Sequence, residues 1–182
     1  MPGYTVDGVR VSSTAVRDAL AAGKLDFVGH LLGRPYSISG RVVSGDRLGE
    51  KIGFPTANIQ LKHNRPPLWG IFAVEVEMVA PALDAPPPLE ILRGVASLGV
   101  RPTVHEHGKP VLEVHLFDFD RDIYGSHLKV RFLHKLRDEE KFSNVVELTK
   151  QIKRDVENTH AYFASVSPLN TAAAGKYLHQ SN

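Results

Sequence analysis

The chain contains no cysteine, which excludes disulfides, thiolate metal sites and a cysteine nucleophile, and suits a protein made for a reducing compartment. It also lacks any apolar run approaching the roughly 18 residues of a membrane span, and its first residues, Met1-Pro-Gly-Tyr-Thr-Val-Asp-Gly8, have none of the basic-then-apolar layout of a signal peptide. Neither sign of charge dominates. Lysines and arginines number 22 against 20 acids, a formal +2, and the two kinds are interleaved, so there is no basic stripe for a polyanion to follow. These absences predict a cytoplasmic protein acting on small molecules, with no nucleic-acid and no membrane partner. At 182 residues the chain is long enough for one domain and a small appendage, burying about two-thirds of its unfolded surface.

Punctuation divides the chain into three stretches. Ser12 or Ser13 can cap a helix through Ala22 that stops at Gly23, and Asp26 can cap a second that reaches Leu32 and stops at Gly33. From Tyr36 onward the pattern is strands, expected over 36–43, 71–79, 89–97, 111–119 and 127–133, where β-branched and aromatic residues partly alternate between Gly, Pro, Asp and Asn clusters. With no helix between them these strands cannot form βαβ units, so the sheet is expected to be antiparallel. After Asp138 the period lengthens: Phe142, Val145, Leu148, Ile152, Val156 and Phe163 mark one amphipathic helix. The tail 164–182 is small and polar and is expected to fray; Pro86-Pro-Pro88 reads as an edge loop.

The most informative segment runs from Val42 to Asn58. Gly45, Gly49 and Gly53 stand four apart in a loop that leaves a valine-rich strand and closes on Phe54-Pro55, Thr56 and Asn58. Glycines let backbone approach a phosphate and turn amides toward it. A hydroxyl and an amide two residues apart on an extended stretch point the same way, and such a pair could hold a hydrated magnesium ion on nucleotide phosphates. The spacing fits neither the Walker nor the Rossmann fingerprint, and a glycine-rich hairpin with solvated Thr56 and Asn58 is the alternative reading.

Gly53-Phe-Pro-Thr-Ala-Asn58 resembles the signature of the riboflavin kinase family. Further matches follow in the family's order: Ser97-Leu-Gly-Val-Arg-Pro-Thr103 resembles its Gly-x-Arg-Pro-Thr turn, Glu113-Val-His115 its Glu-x-His segment, Asp122-Ile-Tyr-Gly125 the following turn, and Phe132 to Phe142 its strand-to-helix signature. The likeness runs from about Gly33 to about Phe163. It implies a closed antiparallel Greek-key β-barrel with a C-terminal α-helix, in a unit spanning 34–163, and transfer of the ATP γ-phosphate to riboflavin giving FMN and ADP. Val11-Ser-Ser-Thr-Ala-Val-Arg17 is similar to the segment that closes the adenylyltransferase module of bacterial FAD synthetases, so 1–33 is expected to be a helical remnant of such a module, whose remainder is missing here. That leaves FMN as the expected product, with part of a longer bifunctional FAD synthetase, or a non-catalytic flavin-binding module, as the alternative readings.

By the same resemblance, Gly45, Gly49, Gly53, Thr56 and Asn58 hold ATP, with Thr56 and Asn58 also at Mg2+, and Glu113 is the base. Without it, Glu113 reads more readily as a solvated strand carboxylate, since Glu is usually exposed. Arg137 and Asp138, where a strand gives way to a helix, are implied flavin-site residues; Phe117, Phe119, Tyr124 and Phe132 are ring-contact candidates or core. All of these are expected to converge at the barrel mouth. His105, His107 and His115 are the most zinc-like cluster, but with no fourth ligand in sight; His115 reads better as an orienting neighbour of Glu113. Trp69-Gly-Ile-Phe72 departs from the family's Gly-Val-Tyr turn, losing a hydroxyl.

Overall fold

The structure, a computed structural model, describes residues 5–6, 8–45, 48–62, 65–79, 90–101 and 108–166. Strands β1 (Thr5–Val6) and β2 (Val9–Arg10) make a short hairpin. Helix α1 (Ser13–Ala21) starts where the Ser12 hydroxyl accepts from the Ala15 N–H at 3.1 Å, and the chain leaves it through Gly23 at φ 70°. Helix α2 (Leu25–Leu32) ends on left-handed Gly33. Asp26 does not cap it: Lys24 occupies the cap position without a side-chain bond, and Asp26 lies inside the first turn, where a negative charge still favours the helix dipole.

The barrel follows: β3 (Ser37–Val43), a one-turn helix α3 (Leu48–Lys51), then β4 (Ala57–Ile59), β5 (Gly70–Val79), β6 (Ile91–Arg101), β7 (Lys109–Leu116) and β8 (His127–Arg137). Six strands close in the order β3-β4-β7-β6-β5-β8, each pair antiparallel, with β8 returning to β3. Strand β7 stops at Leu116 and not at Phe119, because Asp118 turns the chain with φ 52°. Strand β4 and helix α3 were not foreseen, since three or four residues carry too little period to be read. Helix α4 (Val145–Ser165) opens with the Asn144 side chain accepting from the Glu147 N–H. The proline run, His105 and His107, and residues 167–182 of the tail lie outside the described residues.

Alternation fills the barrel. Phe72, Val74 and Val76 of β5, Leu98 of β6, Leu112 and Val114 of β7 and Leu128, Val130 and Phe132 of β8 point inward with essentially no exposure, each contributing about 1.5–3 kcal/mol by leaving water. Phe72 meets Phe132 edge-on at 5.2 Å. A tyrosine hydroxyl at Phe72 would need a partner inside this core, so the departure from the family turn leaves nothing unpaired. Helix α4 lies on the outside of β5, β6 and β8, over outward-facing Ile71, Ala73 and Val95. Its most buried residues are not the expected apolar stripe but Asp155 and Thr159.

Candidate active site

Side chains directly opposite one another in an antiparallel pair share a face. Leu112 and Val114 fill the barrel, so Glu113 between them points outward. Its partner on β4 is Asn58, and Asn58 faces Val43 of β3; on the other side Glu113 faces Ser97 of β6, Ser97 faces Ile71 of β5, and Ile71 faces Arg137 of β8. One transverse row therefore carries Asn58, Glu113 and Arg137. Its side chains stand on the outer face of the sheet, along a row that reaches the last residues of β3 and β8 at one end of the barrel. Glu113 and Asn58 are neighbours, whereas three strand spacings, roughly 14 Å along the sheet, separate Glu113 from Arg137.

Asn58 stands on the face of Glu113, with Ala57 turned the other way opposite Val114, and Thr56 immediately precedes the ladder. The glycines before them have packing roles. A Cβ on Gly45 would strike the Asn58 amide, which is why that buried side chain fits. A Cβ on Gly49 would strike the Phe54 carbonyl, and Gly53 sits at φ 86°. Within the loop, Ile52 and Phe54 donate to Gly49 O at 3.2 and 2.7 Å, and Gly53 donates to Glu50 O at 3.2 Å. Those three amides, the Gly53 N–H among them, are already engaged by the turn of α3.

His115, two residues beyond Glu113 on the same face, places Nδ1 2.8 Å from the Pro55 carbonyl oxygen. Its ring meets Phe54 and Phe117 edge-on at 5.5 and 5.9 Å, and Phe117 stacks on His160 of α4 at 4.2 Å. Among the described residues no group of three or more His, Asp or Glu side chains is arranged for a metal ion. Of the aromatic candidates for ring contact, Phe132 is core, Phe119 packs beside the core under the Arg121 guanidinium, and Tyr124 is exposed.

Arg137 is held at all three of its side-chain nitrogens. Nε and Nη2 grip the two oxygens of Asp155 at 2.9 and 2.7 Å, and Nη1 donates to the Asp138 carbonyl at 2.9 Å. Burial opposes the Arg137 charge, but the bond and charge of Asp155 outweigh it and hold its pKa above the ordinary value. The Asp138 carboxylate is exposed and pairs with Lys135 at 2.5 Å, which holds it below the usual range. Glu139 was missed in the sequence. The residue is exposed, yet its carboxyl end lies over Gly99, where any Cβ would collide with it. Burial pushes this carboxyl up and the charge of Glu113 adds to the effect, against the Val100 N–H bond and the Arg137 charge. Asp155 was missed too, although with Leu148, Ile152 and Thr159 it falls at i, i+4, i+7 and i+11, an acid in register with a buried stripe.

Residues 32–163 match the family model Flavokinase, described as riboflavin kinase. The chain belongs to the riboflavin kinase family. A bifunctional riboflavin kinase/FMN adenylyltransferase of Haemophilus influenzae is 46% identical over 162 residues, covering 89% of this chain and 50% of that protein. The chain spans about half the length of the curated relatives it matches. Among solved structures, a macrolide-efflux protein from Streptococcus pneumoniae aligns with TM-score 0.74 at 35% identity, over 88% of this chain and 50% of that one. Riboflavin kinase from Trypanosoma brucei shares the fold, with TM-score 0.53 at 23% identity over 81% of this chain and 88% of that one. Among the described residues no helix is long and apolar enough to cross a membrane.

Proposed function

We propose that this chain phosphorylates riboflavin at its ribityl 5′-hydroxyl with ATP, giving FMN and ADP, in the cytoplasm. The observation that carries this reading is the pairing of Asn58 with Glu113, which sets a carboxylate beside the amide of the phosphate segment. Phosphoryl transfer asks a protein mainly for positioning, charge neutralisation and a base near the attacking oxygen; these residues can supply the positioning and the base, and the metal ion they would hold the neutralisation. The Glu113 carboxylate takes the 5′-hydroxyl proton as that oxygen bonds to the γ-phosphorus. The bond from the γ-phosphorus to its bridging oxygen breaks, and ADP leaves.

Thr56 and Asn58 offer uncharged oxygens, that of Asn58 beside Glu113, a donor set suited to Mg2+, which takes few protein ligands and keeps waters and phosphate oxygens. When bound, the ion would neutralise phosphate charge. Arg137 serves the flavin end of the row through the loop it anchors, and Asp138 stands exposed at the start of that loop.

The named activities of the bifunctional relatives include adenylyl transfer. In a longer parent this barrel would stand beside an adenylyltransferase module, with 1–33 as that module's end. Residues 11–17 cannot assemble a second site alone, so FMN is the product expected of this chain. Incubation with riboflavin, ATP and magnesium, followed by chromatographic separation of FMN and FAD, tests both points. Riboflavin left unchanged would overturn the kinase reading, and FAD formed as fast as FMN would overturn the single activity.

A further inference from the structure

We propose that His115 is a positioning residue that fixes Thr56 for phosphoryl transfer, an inference that rests on the kinase reading above. The loop 48–56 closes on itself through the turn of α3, and the β4–β7 ladder begins only at Ala57 opposite Val114. Thr56 therefore falls between two supported segments without a place in either. The residue before it, Pro55, has no N–H and so cannot donate to any ladder; its carbonyl is the remaining backbone handle. His115 takes that handle at 2.8 Å.

The geometry fixes the tautomer. A carbonyl oxygen only accepts, so Nδ1 of His115 carries the proton. Phe54 and Phe117 hold the ring edge-on, and Phe117 is itself stacked on His160 of α4. Because His115 and Glu113 stand two apart on one strand face, the same strand sets both the base and the carbonyl preceding Thr56. The imidazole thereby keeps the phosphate segment in register with the carboxylate that must face it.

His115→Phe retains the ring edges and loses the donor. Loss of one hydrogen bond of this kind is expected to raise KM for magnesium-ATP about five- to tenfold, with riboflavin affinity within about twofold of the parent. His115→Asn keeps an N–H near the Nδ1 position and should recover most of that loss. Amide exchange at 56–58 should quicken in the phenylalanine variant and not in the asparagine one. A parental KM for ATP in His115→Phe would overturn the proposal, as would equal losses in both variants for ATP and riboflavin alike, the mark of general loosening. Imidazole nitrogen NMR on the unaltered protein needs no variant, and His115 protonated only at Nε2 would overturn it as well. A parent that makes no FMN sinks the kinase reading itself; an active parent with an unaltered His115→Phe sinks this inference alone.

Discussion

Arg137 at the end of β8 holds Asp155 of α4 by both carboxylate oxygens, and the Asp155 side chain is only 4% exposed. Such a two-pronged pair is among the strongest charged contacts a protein makes. Gln151 donates to the same carboxylate at 3.0 Å, and the Thr159 hydroxyl donates to the Asp155 carbonyl at 2.7 Å. The loop 138–144 is thus anchored at its start by Arg137 and at its end by the Asn144 cap.

Arg137→Ala should leave a buried carboxylate with only Gln151 as a side-chain partner, destabilising the protein by about 3–5 kcal/mol and lowering Tm by roughly 6–20 °C. Joint replacement of Arg137 by Met and Asp155 by Leu should recover most of that loss, because no charge then stays buried. Thermal melting of the single and double variants measures it. If Arg137 touched the flavin and did little else, Arg137→Ala would melt like the parent and lose riboflavin affinity.

The long strands were legible because they partly alternate and their breaks carry glycine, proline and aspartate, as between Val43 and Ala57, whereas closure into a barrel came from the family resemblance. What escaped reading was short or distant in sequence. Strand β4 has three residues, too few for a period, yet it is the element that sets Asn58 beside Glu113. The partners of Arg137 and His115 lie 18 and 60 positions away, a distance at which no local pattern speaks. Asn58 stands on the face of Glu113 as the alternation of an extended chain predicts, while Thr56 lies just before the strand begins. At Gly45 the structure adds a reason that no local pattern could show: the Asn58 amide occupies the space of its Cβ.

Gly45→Ala should therefore act like Asn58→Ala. Both displace or remove the Asn58 amide, and Thr56→Ala removes the neighbouring hydroxyl. If these groups meet charged phosphates, loss of one contact of about 1.5–3 kcal/mol should raise KM for magnesium-ATP roughly 10- to 100-fold. Riboflavin affinity, followed by quenching of its fluorescence, should stay close to that of the parent. Matching losses of flavin affinity in all three would mean that the segment only supports the fold.

Glu139 should report on Glu113 through pH. Its carboxyl is raised in the folded protein, first by burial and then by the Glu113 charge. A carboxyl raised on folding stabilises the fold below its unfolded pKa, and that contribution is lost as pH climbs through the folded value. The window thus opens near the ordinary glutamate value of 4.5 and extends upward. Glu139→Gln keeps an acceptor for the Val100 N–H but removes the charge. It should gain stability over the parent at neutral pH, with the difference shrinking toward acid, in urea unfolding across that range. In Glu113→Gln the Glu139 midpoint, followed by carboxyl carbon NMR, should move down.

Glu113→Gln is also the test of the base. The substitution keeps size and one acceptor oxygen while removing the site that takes the proton, and the outward position beside Asn58 is unaffected by it. If Glu113 deprotonates the 5′-hydroxyl, kcat should fall by roughly 10²- to 10⁴-fold. KM for both substrates should change little, because contacts made equally in the ground and transition states are retained. Melting should stay near the parental value, since the residue lies on the wall and its inward neighbours Leu112 and Val114 still fill the barrel. A carboxylate that merely faces solvent would instead yield a variant within a few-fold of the parent. Near-normal turnover with unchanged melting would move the proton acceptor elsewhere and leave positioning by Thr56 and Asn58 as the main source of rate.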